Sequence, residues 1–192
     1  MALALEEHDR RMTRADFHAV VETIRDDYKW ELLDGELVVS PAPTGWHELI
    51  VANIITWLHN ERRRRSASWF VSAGVGIYNP NDLNNQLIPD VMVVPSLMPP
   101  DTNELTDILV AVEVLSRTSA RRDLIRKREV YAAMPLLQDY LVVSQDRCEV
   151  HHFSRDNDFE AERMIGPSET VRMNGIGIDL PLAEIYRDLP LG

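Results

Sequence analysis

Apolar and polar positions recur along this chain with two different periods, and the changes of period mark its elements. The stripe His47, Ile50, Val51, Ile54, Leu58 and Glu61 repeats at helical spacing and predicts one long helix over 45–64. Before it, YKWELLDGELVVSP reads as two strands around Asp34-Gly35, a dipeptide suited to a type I′ hairpin turn. Thr13 followed by Asp16 opens a helix expected to run to about Asp27. Strands are expected near 69–78, 88–94 and 109–115, the first two separated by the turn-rich NPNDLNNQ. Ser119 can cap a further helix that runs to about Met134. LLQDYLVVS, RCEVHHFS and a weaker strand over 159–164 suggest an antiparallel continuation, and LPLAEIYRDL a short closing helix. This order predicts an α/β or α+β fold: a central sheet with helices packed on it and a hairpin at its N-terminal side.

The pattern is broken by charges. ILVAVEVLS, residues 108–116, is core-like throughout except at Glu113. A continuous apolar run implies a strand buried on both faces. An unpaired ionised carboxylate there would be costly or would take up a proton, so something must meet the charge. IPDVMVV repeats the puzzle, with Asp90 at the mouth of an apolar run just after Pro89. In the helix that follows Glu113, Leu124, Lys127, Val130, Tyr131 and Met134 share one face, with Lys127 near its centre. Arg121, Arg122, Arg126 and Arg128 lie away from that face.

Each charge has an ordinary explanation. A strand-end Asp after Pro commonly serves a turn or cap. Glu113 can belong to a buried salt bridge, and Lys127 can snorkel and pair with Asp123 one turn away. Taken together, they point to specific chemistry. Two carboxylates from adjacent strands can hold a hard divalent cation, Mg²⁺ or Mn²⁺, that keeps open positions for water and phosphate. A nearby lysine can orient the attacking water and balance developing negative charge. That combination hydrolyses a phosphodiester.

Composition narrows the setting. The chain has 192 residues, 45% apolar and 27% charged, which suits a single domain over 1–192. No run is long enough for a membrane helix, and MALALEEHDRRMTR lacks the hydrophobic core region of a secretion signal, so a cytoplasmic protein is expected. The single Cys148 excludes an internal disulfide and a cysteine-based zinc site. A net charge of −11 argues against attraction of nucleic acid by the whole surface. A local patch is available, however. Between Arg117 and Arg128 there are six basic residues against one acid, so Arg117, Arg121, Arg122 and Arg126 are candidate DNA phosphate contacts. The cluster Arg62 to Arg65 ends the long helix, where it complements the dipole. Ser116 lacks an esterase frame, His151 and His152 should point to opposite faces of a strand, and the glycines at 74 and 76 precede no helix.

WELLDGELVVSPAPTGWHELI, IPDVMVV, VAVEVLS and RRDLIRKREVYAAMPLLQDYLVV, in that order and spacing, resemble the PD-(D/E)xK nuclease superfamily and, more closely, its bacterial Uma-two branch. The resemblance covers roughly residues 28–187 and leaves 1–12 as a flexible N-terminal extension. It implies a restriction-endonuclease-like mixed sheet flanked by helices, and an Mg²⁺- or Mn²⁺-dependent DNA endonuclease that often pairs as a homodimer. Residue by residue, it implies Asp90 and Glu113 as metal ligands with the Val114 carbonyl as a third. Lys127 would replace the lysine of E-x-K, where this chain has Leu115. Glu31 matches the N-terminal acid and His47 the histidine at the start of the long helix. The competing reading is a non-catalytic binding or assembly module in which Glu113 and Lys127 form a structural ion pair.

Overall fold

Asp34 and Gly35 adopt φ of 52° and 78°, so the tight hairpin turn forms where the sequence places it. It joins β1 (Lys29–Leu33) to β2 (Glu36–Ser40), with Leu33 opposite Glu36. The computed structural model describes residues 11–26, 28–40, 42–115 and 121–191, and for 121–125 the backbone alone. Residues 1–10 of the expected extension therefore lie outside the described residues. Met12 is anchored: its amide donates to the Gly35 carbonyl, and its own carbonyl accepts from the Asn84 side chain.

Around the hairpin stand α1 (Arg14–Val21), α2 (Gly45–Arg65), β3 (Phe70–Ser72), β4 (Gly76–Ile77), β5 (Val91–Val94), β6 (Glu104–Leu105), β7 (Val110–Leu115) and α3 (Arg121–Ala132). The chain continues through β8 (Asp139–Ser144), β9 (Glu149–Ser154), β10 (Ala161–Ile165), β11 (Thr170–Met173), β12 (Ile178–Pro181) and α4 (Leu182–Ile185). The central six-stranded sheet has the order β10-β9-β8-β7-β5-β3. Its pairs are antiparallel except β7 with β8, which run parallel and are connected through α3. The expected mixed sheet flanked by helices is the architecture observed.

Strand alternation sorts the core into two layers. Val91, Val93, Val110, Val112, Val114, Leu141 and Val143 face α2, α4 and the β11–β12 hairpin, and meet Ile50, Ile54, Leu58, Leu180 and Ile185. Met92, Val94, Ala111, Tyr140 and Val142 face the other way, onto Leu33 of the N-terminal hairpin and onto Val130, Tyr131 and Met134 of α3. Glu113 follows Ala111 at spacing two, so its carboxylate enters this second layer, between the hairpin and α3.

Several boundaries differ from the sequence expectation. The single strand expected over 69–78 is two: β3 belongs to the central sheet, and β4 pairs in parallel with β6. Gly74, at φ 71°, turns the chain between them. Helix α1 ends at Val21 rather than Asp27. Beyond it the Thr23 hydroxyl donates to the Val20 carbonyl, a local bond that competes with continued helix. The β11–β12 hairpin was not anticipated, because its apolar residues are few and short-spaced. Helix α3 is present, whereas its expected cap Ser119 lies outside the described residues. Among the described residues, no helix is long and apolar enough to cross a membrane.

Gly35 is where the hairpin meets the N-terminal segment, and a Cβ there would come within 2.5 Å of the Arg11 Cβ. Gly35→Ala combines that clash with an unfavourable positive φ, so urea unfolding should show a loss of about 1–3 kcal/mol. An unchanged unfolding midpoint would contradict this packing.

Candidate active site

Alternation along β1 sends Lys29, Glu31 and Leu33 to the same face, and Leu33 lies in the second core layer. Glu31 therefore points inward and is 1% exposed. Its Oε1 accepts the Ile88 amide at 2.8 Å, which ties β1 to the segment leading into β5. From α3, the Lys127 ammonium donates to Glu31 Oε1 at 3.1 Å, to Glu31 Oε2 at 2.9 Å and to Glu113 Oε1 at 2.9 Å. Tyr131 lies one helical turn beyond Lys127, and its hydroxyl donates to the same Glu113 oxygen at 2.7 Å. Lys127 thus reaches inward and bridges two buried acids.

Asp90 forms the other half. Its amide donates to the Val112 carbonyl, continuing the β5–β7 ladder by one residue, which places Asp90 beside Glu113. At that point its side chain takes over the ladder: Oδ2 accepts the Val114 amide at 2.8 Å. The same oxygen lies 3.2 Å from His47 Nε2. Thr44 caps α2 by accepting the His47 amide, and this sets the imidazole on the first turn of the helix, facing Asp90. Lys29 completes the group, with Nζ 2.9 Å from Asp90 Oδ1 and 3.9 Å from Glu113 Oε2.

Three carboxylates, two ammoniums and one imidazole are thereby collected in little solvent, where burial and neighbouring charge act on Lys29, His47, Asp90, Glu113 and Lys127. Burial pushes the Glu113 carboxyl up from its ordinary range, against the pull of Lys127 and Lys29. Asp90 goes the opposite way. Burial would raise it, but His47, Lys29 and the Val114 amide together hold it well below the usual carboxylate range. Burial would lower Lys127, yet the charges of Glu113 and Glu31 outweigh it and its ammonium is held more firmly than usual. Lys29 is likewise raised by Glu113, Glu31 and Asp90 against its own burial. His47 is raised by Asp90 against partial burial, which favours the imidazolium. Burial, with the nearby acid Glu113, drives the Tyr131 hydroxyl well above its normal range, so it serves as a donor.

The five side chains singled out in the sequence, Glu31, His47, Asp90, Glu113 and Lys127, thus lie in one connected group. Val114, expected to offer its carbonyl, meets the group through its amide. Arg126, expected as a phosphate contact, is ion-paired within the chain. Its guanidinium is engaged by Asp34 at 2.7 Å, Glu36 at 3.2 Å and the Leu33 carbonyl at 3.3 Å. That contact fastens α3 to the hairpin turn and so sets Lys127 over Glu31. Arg117 lies outside the described residues, as do the side chains of Arg121 and Arg122. Sequence reasoning missed Lys29 and the role of Tyr131. Spacing carried both signals: Lys29 precedes Glu31 by two on a strand, and Tyr131 follows Lys127 by four on a helix.

Whether the donors suit a divalent cation can be judged from what they already hold. Asp90 Oδ1 and Glu113 Oε2 both turn toward one cation, the Lys29 ammonium. Among the described residues, no group of three His, Cys, Asp or Glu side chains converges as a metal cage. A pair of carboxylates completed by water suits Mg²⁺, which keeps much of its hydration and needs no all-protein cage. The donor set therefore fits a hydrated divalent ion shared by Asp90 and Glu113.

A mixed central sheet with helices on both faces is a restriction-endonuclease-like, nuclease-like fold. The chain belongs to the Uma2 family, described as "Putative restriction endonuclease", whose profile matches residues 14–183. It is 27% identical over 176 residues to the uncharacterized protein slr1290 of Synechocystis sp. (strain ATCC 27184 / PCC 6803 / Kazusa), covering 86% of this chain and 87% of that protein. The fold is similar to the crystal structure of a "putative nuclease belonging to DUF820" from Anabaena variabilis ATCC 29413. That match has a TM-score of 0.74 at 14% identity and covers 91% of this chain and 97% of the other.

Replacing Lys127 with Met leaves Glu31 and Glu113 facing each other without their shared cation. The metal-free protein should lose about 3–5 kcal/mol, as for other buried pairs broken from one side, measured by urea unfolding in EDTA. A loss below about 1 kcal/mol would mean that the ammonium is solvated rather than bridging.

Proposed function

We propose that this protein is a divalent-metal-dependent endonuclease that hydrolyses DNA phosphodiesters, with Asp90 and Glu113 as the metal ligands and Lys127 as the active-site lysine. The observation that carries this reading is the placement of Asp90 and Glu113 side by side, with Lys127 Nζ 2.9 Å from Glu113. Family membership and the nuclease-like fold point the same way. A bound Mg²⁺ or Mn²⁺ would supply Lewis acidity toward the phosphate and a more acidic water.

The chain's own residues do the rest. Lys127 presents a permanent positive charge beside the reacting phosphate and balances negative charge as it develops. Glu31 fixes that ammonium in place from the far side, and Tyr131 holds Glu113 in one rotamer through its hydroxyl. His47 and the Val114 amide orient Asp90, leaving Oδ1 as the oxygen turned toward Lys29. Phosphates away from the scissile bond fall to Arg117, Arg121 and Arg122, whose segment leads from β7 into α3. Because the whole chain carries −11, binding should be steeply salt-dependent, and a homodimer would join two basic faces. A cytoplasmic setting completes the reading.

One observation favours the non-catalytic alternative. The acids are already matched by Lys29, Lys127 and His47, so the cluster can hold the fold together without a metal. Supercoiled plasmid incubated with Mg²⁺ or Mn²⁺ separates the two. The nuclease reading predicts nicking and linear product, reduced at least about 100-fold by Asp90→Ala and by Lys127→Ala. If those variants cleave as well as the wild type, or if no protein cleaves while Glu113→Gln unfolds more easily, the structural reading stands instead.

A further inference from the structure

The two lysines of the cluster are held very differently. Lys127 makes three donor contacts of 3.1 Å or less, to two carboxylates, and its side chain is 12% exposed. Lys29 makes one close contact, at 2.9 Å to Asp90, and a long one, 3.9 Å to Glu113, and is 25% exposed. It stands at the first residue of β1, next to the solvent-exposed Tyr28. Lys127 is anchored within the second core layer, whereas Lys29 enters from its rim and is the more exposed of the two.

The position of the Lys29 ammonium is the notable point. It lies between Asp90 Oδ1 and Glu113 Oε2, the oxygens a shared divalent ion would use. A monovalent ammonium and a divalent ion cannot both fill that place, and their mutual repulsion at such distances is substantial in a site with little water. We propose that Lys29 is a tethered counter-cation. In the metal-free protein it neutralises the Asp90–Glu113 pair and keeps the strand ends together, and it must withdraw toward solvent when a divalent ion binds. Lys29 is thus a positioning residue whose effect is to weaken metal binding and to stabilise the metal-free state. The inference rests on the metal-dependent reading above and assigns that site a built-in competitor for its ion.

Calorimetric titration with Mn²⁺ alone tests it, on the full chain and without DNA. Lys29→Met should bind Mn²⁺ at least about 10-fold more tightly than the wild type, because a like charge has been removed from the ion's place. In EDTA the same variant should melt at a lower temperature than the wild type and should gain more from added Mn²⁺. Lys29→Gln, which keeps a polar end without the charge, should behave similarly and guards against a folding defect of the Met variant. Glu113→Gln identifies the site, since binding there should vanish. If wild-type binding requires Glu113 but is equal or weaker in both Lys29 variants, the counter-cation role is overturned while the metal centre survives. If neither the wild type nor the Lys29 variants bind Mn²⁺, both readings are overturned.

Discussion

The structure turns on one buried ammonium. Lys127 reaches from α3 across the second core layer and is shared by Glu31 and Glu113, acids from two separate sheets. Without that charge the two buried carboxylates would face each other with no ammonium between them, in a place with almost no solvent. With it, the hairpin, strand β7 and helix α3 are bound into a single unit. Arg126, the residue before, repeats the link at the surface by gripping Asp34 and Glu36. Two consecutive side chains of one helix therefore join it to the hairpin, one through the interior and one at the rim.

The rest of the site follows from where this unit stops. Past Val91 the β5–β7 ladder continues through Asp90, whose amide donates to the Val112 carbonyl, and the paired strand ends there. Asp90 extends the pairing with its own carboxylate, which accepts the Val114 amide. The end of a strand pair thus becomes a place where a side-chain acceptor completes the backbone pairing. A carboxylate held by backbone and histidine on one oxygen has the other free to share with a cation. Strand ends suit such chemistry because the sheet supplies rigidity while the edge supplies access.

Much of this was legible in the sequence, and the parts that were not share a physical reason. The hairpin could be read because Asp34-Gly35 permits a backbone that few dipeptides favour. Helix α2 and the inward face of α3 could be read because their spacing is periodic. Glu113 stood out because a buried strand leaves a charge no ordinary place. Lys29 did not stand out. On a short strand beside exposed residues, a lysine looks like any solvated one, and only tertiary contact with Asp90 reveals its direction. The contact of Arg126 with the hairpin was hidden for a related reason. Arg126 lies off the apolar face of α3, and nothing local says that the hairpin turn will fold back against it. The division of the stretch over 69–78 between two sheets likewise depends on partners remote in the chain.

The central claim is that Asp90 and Glu113 share one cation while Lys127 stays fixed between Glu31 and Glu113. Crystals soaked in Mn²⁺ and measured at the manganese absorption edge test it most directly. The account predicts one anomalous peak between the Asp90 and Glu113 carboxylates, with the Lys127 ammonium still hydrogen-bonded to both glutamates and the Lys29 ammonium moved away. Density for Lys29 still lying between those carboxylates, with no manganese peak beside them, would contradict it.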